Sequence, residues 1–379
     1  MNKEIIKAYN ELVPSEYYHV PYALFESDCK YYTVLSERAT GKTTNILLWC
    51  LLEYWYTGNT TAYVRVHNTE IKQSIAQELF NVIITNNYIT QITKGKYNSI
   101  YYKWRSIFLC KIEDNEIKEK DSVAFIKVLS IDEHEIYKST LNLPNCSTIL
   151  FDEFITETNS KFDFFRFFDL HSTIVRKREN VKTFLCANTT NVNSVWFKQL
   201  LIEDIVRMKK GEKKMFCTEK GTKNYVEILG NTNKFKQVAH KINQLYYGFS
   251  NSMLDSITGE GNWSYDYYPV LNEEYKKRNV LNYFYIQFDS NILILDIYDS
   301  KELGTIIYIR EGEYTSDDTL VFVNNDIDIT KDNQYKSWGS RDFGLYVARM
   351  YKIGRLFTST PFAHKIFLDY CAECGLVLR

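Results

Sequence analysis

The chain has 379 residues, 45% of them hydrophobic and 25% charged, with a net charge of -1, which is the make-up of a globular protein of about two domains. Thirty Tyr and 23 Phe against five Pro and 15 Gly exclude a disordered or fibrous chain. No apolar run approaches the roughly 18 residues of a membrane span, and residues 1–20 lack the apolar centre of a signal peptide, so neither membrane insertion nor secretion is expected.

In chain order, KYYTVL (30–35) reads as a buried strand. SERATGKTT follows, and then a helix-like run that ends at Gly58. TAYVRV (61–66) reads as the next strand. Ile71, Ile75, Leu79, Val82 and Ile83 are spaced as one face of a helix over 69–85. SIYYKW and SIFLCKI look like a two-stranded ribbon, and 122–130 like a further strand. CSTILF (146–151) is a near-continuous apolar strand of the kind buried on both faces of a parallel sheet. A helix at about 161–176 and the strand VKTFLCA (181–187) complete the alternation. Residues 1–204 therefore read as α/β with a parallel sheet.

Residues 205–245 are charged and turn-rich and read as a basic linker. From 246 to 379 the pattern is α+β, with NYFYIQF, NILILDIY, GTIIYIRE and TLVFVN as strands led by an antiparallel meander, then helices near 340–354 and 361–374. The charge is uneven. Residues 161–250 hold 17 Lys and Arg against 8 Asp and Glu, and residues 251–350 hold 9 against 17. Such asymmetry fits a segment facing a polyanion, or two solvated surfaces.

The eight cysteines are scattered and read as reduced thiols. Cys371 and Cys374 form one CxxC with His364 upstream. A zinc site needs four ligands, and no second pair has suitable spacing, so zinc is not expected.

Chemistry is concentrated in two places. Ser36 to Thr43 lie between a strand and a helix, the setting of a phosphate-binding loop, with Ser36 where the usual pattern has Gly. Backbone N–H groups at such a helix start cradle phosphates. Ser36, Arg38, Ala39, Thr40, Gly41, Lys42, Thr43 and Thr44 are the candidate nucleotide-binding residues. Lys42 would face the β/γ oxygens and Thr43 would hold Mg²⁺. The apolar strand at Ile149–Phe151 then leads to Asp152, a candidate Mg²⁺ ligand, and Glu153, a candidate general base. The adjacent acid pair points to the P-loop ATPases with an additional strand, which carry a catalytic Glu after the Walker B Asp. Asn188, ending an apolar strand, is placed to sense the γ-phosphate. Arg176, at a helix end before that strand, is a candidate finger toward a neighbouring subunit, or a cation complementing the helix dipole. Arg207, Lys209, Lys210, Lys213 and Lys214 form the densest basic run, a candidate for contacts to a polyanion, which the resemblance named below would make DNA. Arg65 and Lys72 are weaker candidates of the same kind.

SERATGKTT, CSTILFDEFI, TIVRKRENV and CANTT together resemble the corresponding segments of DNA-packaging ATPases of tailed bacteriophages, of the large-terminase and small-podophage types. Arg38 matches the early basic residue of the terminase loop. The resemblance implies a ring motor, a homopentamer, on the portal of a procapsid in the host cytoplasm. It would drive double-stranded DNA inward with ATP and Mg²⁺, with a packaging RNA as a further candidate partner. It also implies a C-terminal RNase H-like domain. Asp289, Asp296 and Asp299 are its candidate acids, and Asp289 and Asp296 fall at turn or edge positions. An active two-metal nuclease needs carboxylates converging from separate elements, so the nuclease is expected to be vestigial. Another DNA translocase or a helicase of the same class stands as the alternative, and a structural protein with a degenerate nucleotide site as a third reading.

Overall fold

The computed structural model describes residues 2–36, 40–155, 161–188, 194–230, 271, 274–275, 277–288, 291–315, 319–323, 334–336, 341–374 and 376. Two compact units divide it, Met1–Gly261 and Asn262–Arg379.

The first unit is built on one ten-stranded sheet. Its strands are β1 (Cys29–Ser36), β2 (Thr60–Arg65), β3 (Ser99–Lys103), β4 (Ser106–Glu113), β5 (Glu116–Lys120), β6 (Ile126–Ser130), β7 (Cys146–Asp152), β8 (Lys182–Asn188), β9 (Lys213–Cys217) and β10 (Lys223–Ile228). Their order is β3-β4-β6-β2-β7-β8-β1-β10-β9, with β5 against β4. From β6 to β10 every neighbouring pair is parallel. The β3–β5 ribbon and β9 are antiparallel additions at the two edges. Parallel strands need crossover helices that cover the sheet, and these are α1 (Lys3–Leu12), α2 (Lys42–Thr57), α3 (Gln73–Thr85), α4 (Tyr88–Ile92), α5 (His134–Thr140), α6 (Lys161–Val175) and α7 (Val195–Gln199).

Helix α2 carries the core. Ile46, Leu47, Leu48, Leu51 and Leu52 are fully buried, and Trp49 nearly so. A helix that is apolar almost all round belongs inside a larger assembly of elements. It ends at Gly58, whose φ of 74° lets its N–H reach the Tyr54 carbonyl. This left-handed cap favours Gly.

The basic-linker reading of 205–245 does not hold over the described part. β9 and β10 fall inside it and belong to the first sheet, with β10 paired directly to β1. Val226 and Ile228 are buried in that pairing. The lysines of β9 stand at the open edge, where they discourage pairing with another sheet. The α/β core thus runs on past residue 204.

In the second unit a six-stranded sheet is ordered β15-β14-β11-β12-β13-β16. The strands are β11 (Val280–Phe288), β12 (Asn291–Ser300), β13 (Gly304–Glu311), β14 (Val321–Val323), β15 (Gln334–Lys336) and β16 (Leu356–Thr358). β11–β13 form the expected antiparallel meander, and β14, β15 and β16 add in parallel. Helices α8 (Arg341–Lys352) and α9 (Pro361–Glu373) complete it. Pro361 at the start of α9 and the Thr360 hydroxyl, accepting from the Ala363 N–H at 3.0 Å, fix where that helix begins. Among the described residues no helix is long and apolar enough to cross a membrane.

Candidate active site

β1 lies between β8 and β10, and β8 separates it from β7. The parallel run brings the C-terminal ends of β1, β8, β7 and β2 to one edge of the sheet. Ser36, Asn188, Asp152 and Arg65 end those four strands. Chain reversals at this edge are where open α/β sheets bind ligands.

Gly41 opens α2 at φ 79°. A Cβ there would come within 2.9 Å of the Tyr17 ring, so only Gly fits both the backbone and the space. The chain before β1 braces the loop from outside. The Tyr18 N–H donates to the Thr40 carbonyl at 3.2 Å, and Asn45 Nδ2 donates to the Tyr18 carbonyl at 2.8 Å.

Lys42 is almost fully buried. Its Nζ donates to Asn188 Oδ1 at 2.8 Å and to Ser36 Oγ at 3.1 Å. Ser36 Oγ is also 2.7 Å from Thr40 Oγ1. The hydroxyl at the position of the missing glycine is therefore built into the loop. Thr43 Oγ1 donates to Asp152 Oδ1 at 3.0 Å, and Tyr63 donates its phenol to Oδ2 at 3.1 Å. Thr44 follows in the first turn of α2. Burial raises the Asp152 carboxyl above its ordinary value, against the opposing pull of Arg65, Lys42 and Thr43. Burial likewise pushes the Tyr63 phenol well up, with the Asp152 charge adding to it, so Tyr63 stays a donor.

Glu153 takes a left-handed backbone, φ 55°, with its side chain half exposed. A non-glycine residue held there stores strain of order 1–3 kcal/mol, a recurrent feature of functional sites. Its Oε2 accepts from Arg65 Nη2 at 2.6 Å.

The structure thus brings together Ser36, Thr40, Gly41, Lys42, Thr43, Asp152, Glu153 and Asn188. Arg38 and Ala39 lie outside the described residues, as does Asp289. Arg176 does not join the site of its own chain. Its φ is 40°, and its Nη2 donates to the Leu141 carbonyl at 2.5 Å, before β7 begins. Arg178 is committed to the carbonyls of Ile174, Val175, Pro144 and Cys146, which makes it a cap for loose chain ends. Arg207, Lys209 and Lys210 are exposed. Lys213 pairs with Glu227 at 3.1 Å and Lys214 with Asp204 at 3.5 Å. Lys72 is exposed, whereas Arg65, read with it as a weaker candidate contact to the polyanion, is drawn into the site.

Tyr63, Arg65 and the brace at Tyr17, Tyr18 and Asn45 were not read from the sequence as parts of the site. The available signal was the position of Arg65 at the end of an apolar strand. Without the strand order, nothing says that this strand lies beside β7.

In the second unit Asp296 departs from the turn-or-edge reading. It sits mid-strand in β12, between β11 and β13, and is 1% exposed. Arg310 grips it through Nε at 2.7 Å and Nη2 at 3.4 Å, and Tyr275 donates its phenol to the same carboxylate. Asp299 is exposed near the strand end.

An additional strand between a phosphate-loop strand and an acid-ended strand, with Lys42, Thr43, Asp152 and Glu153 at one sheet edge, is the arrangement of the P-loop fold. No protein-family profile and no curated protein sequence matches the chain. Among solved structures it is similar to the bacteriophage Phi-29 viral genome packaging motor assembly, at TM-score 0.53 and 17% identity over 95% of this chain and 100% of that one. It also matches the Phi-28 gp11 DNA packaging motor, at TM-score 0.45 and 17% identity over 96% and 99%. A third match is the N-terminal domain of the phi29 DNA packaging ATPase, at TM-score 0.43 and 19% identity over 57% and 97%. The first of these carries the likeness of fold over nearly the whole chain.

Proposed function

We propose that the chain is the ATP-hydrolysing subunit of a motor that moves double-stranded viral DNA through the portal into a procapsid. The observation that carries the reading is the convergence of Lys42, Thr43, Asp152, Glu153 and Asn188 at one sheet edge. It is supported by the fold shared with the Phi-29 packaging motor assembly. The donor set suits the implied groups. Lys42 is a buried cation aimed along the loop, and Thr43 Oγ1 and Asp152 Oδ1, 3.0 Å apart, are the hard oxygens that Mg²⁺ prefers. Bound MgATP supplies the phosphoryl group whose hydrolysis releases the free energy for movement. Lys42 neutralises phosphate oxygens, and Thr43 with Asp152 holds the metal. Glu153 accepts the proton of the attacking water. Asn188, already bonded to Lys42, reports whether that lysine is engaged.

In an oligomeric ring, a pentamer in this reading, Arg176 would serve the neighbouring subunit's site. Arg207, Lys209, Lys210, Lys213 and Lys214 would hold DNA phosphates without reading sequence. The subunit would work in the host cytoplasm at the portal vertex, with a packaging RNA as a further partner. The second unit is read as an RNase H-like domain without cleavage activity. Support for that comes from Asp296, whose carboxylate is engaged by Arg310 and Tyr275 rather than left open to a metal.

The test is ATP hydrolysis measured with and without DNA and procapsids. Stimulation by procapsids supports packaging. Stimulation by DNA alone favours another translocase or a helicase, and no hydrolysis under any condition removes the ATPase reading.

A further inference from the structure

The β1–β10–β9 side of the first sheet carries a cavity of about 240 Å³ that the phosphate loop does not use. The strand register builds its floor. Tyr31 of β1 pairs with Asn224 of β10, and Asn224 pairs with Phe216 of β9. Residues directly opposite share a face, so the three stand in one cross-strand row. Phe164 and Phe168 of α6 form a wall over them. The Tyr31 ring is tilted against Phe168 at 5.9 Å and stacked on His171 at 5.7 Å, so floor and wall are packed together. Tyr31 stands five residues before Ser36 on β1, about 17 Å at the rise of a strand. The cavity is therefore separate from the nucleotide site.

Asn224 gives the cavity its chemistry. It lines the space and is 6% exposed. Its Oδ1 accepts from the Thr33 hydroxyl at 3.0 Å, while its Nδ2 has no partner. Buried amide groups are almost always paired, and an orphan calls for an explanation. Turning the amide over would only pass the deficit to its oxygen. Among the described residues no charged side chain lines the cavity, which disfavours a charged guest because its desolvation would go uncompensated. A cavity of about 150 Å³ takes benzene, so a flat nine-membered bicycle needs about 225 Å³ by ring-atom count. Rings stack on or edge against Phe and Tyr walls of this kind.

We propose that this cavity is a binding site for a small, uncharged, planar bicyclic ring that carries a cyclic amide. The ring faces meet Phe168 and Phe216, and the amide edge meets Asn224. A cyclic amide offers a carbonyl and an N–H side by side, so it satisfies Asn224 in either orientation of its side chain. The site is independent of the ATPase reading.

The experiment uses the full chain and 2-oxindole as the probe, with indane as a ring of the same size that has no polar edge. Binding is followed by saturation-transfer NMR and by melting temperature, with and without MgADP. Oxindole should bind with a Kd on the order of 1 mM, the scale for a ligand of ten heavy atoms. It should bind up to about tenfold tighter than indane, the scale of one hydrogen bond. Asn224→Leu should erase that preference while indane still binds. Thr222→Phe, at an exposed position on the cavity rim, should block both rings. MgADP should leave oxindole binding unchanged. Absence of oxindole binding to the wild-type chain, equal binding of the two rings, or binding that survives Thr222→Phe overturns the proposal. So does displacement of oxindole by MgADP, which would place it in the nucleotide site. If Asn224→Leu does not fold, the comparison of the two rings on wild type and on Thr222→Phe still decides.

Discussion

Asp152 in the first unit and Asp296 in the second are both buried acids on inner strands, 5% and 1% exposed. Asp152 ends its strand. Two hydroxyls and a distant guanidinium edge meet it, and burial still raises its carboxyl. Asp296 lies mid-strand and is gripped by Arg310 at 2.7 Å, with a phenol besides. What compensates a buried carboxylate thus separates an acid met mainly by hydroxyls at a strand end from one that fastens two strands and a preceding segment together.

Four measurements press on that contrast, in order of expected size. Arg176→Ala should leave a folded, nucleotide-binding subunit but lower hydrolysis in the assembled ring about 10³–10⁵-fold if it reaches a neighbour's site. Mixing it with Glu153→Gln subunits should then restore part of the rate. Unchanged turnover with a small drop in melting temperature would leave Arg176 as the cap of the Leu141 carbonyl alone. Glu153→Gln should bind ATP and lose turnover about 10²–10⁴-fold, measured by steady-state hydrolysis beside nucleotide binding.

Asp296→Asn tests the other acid. It leaves Arg310 without its counter-charge and should cost about 3 kcal/mol in denaturant unfolding, the low end for a broken buried pair because Arg310 keeps a quarter of its exposure. If Asp296 serves no nuclease chemistry, Asp296→Asn should leave DNA cleavage assays unchanged, and a cleavage activity lost on that substitution would overturn the proposal.

The smallest effect runs the other way. The folded state raises the Asp152 carboxyl, so it binds that proton more tightly than the unfolded chain does. The contribution favours folding at low pH and is lost as pH rises through the shifted value. Asp152→Asn should therefore raise the melting temperature of the nucleotide-free protein at pH 7, and the gain should shrink as pH falls toward the ordinary carboxylate value of about 3.8. A destabilised Asp152→Asn at pH 7 would mean that its hydrogen bonds outweigh its buried charge.

Much of the site was legible because its chemistry is local. A strand, a GKT and a helix are contiguous, and the run Ile149–Phe151 before Asp152 announces a strand buried on both faces. Arg65 was misread because its partners come from β7 and from the following turn, and strand order is a long-range property. β9 and β10 were missed because only Val226 and Ile228 of β10 are buried apolar residues, and an edge strand rich in lysine, as β9 is, has the composition of a linker. Asp296 was assigned to an edge because an acid inside NILILDIY breaks the apolar pattern. Only the tertiary fold supplies the Arg310 that lets it stay inside.

The brace at Tyr17, Tyr18 and Asn45 has a practical consequence. Thr40, Gly41 and the start of α2 are held by chain that precedes the sheet and forms no strand. A version shortened to start at β1 would keep every residue of the phosphate loop and of the acid strand, yet lose the backbone contact to Thr40 and the ring packed on Gly41. Trimming or fusing at that end is thus an alteration of the nucleotide pocket at a distance, and catalytic comparisons between such versions would be measuring the brace as much as the chemistry.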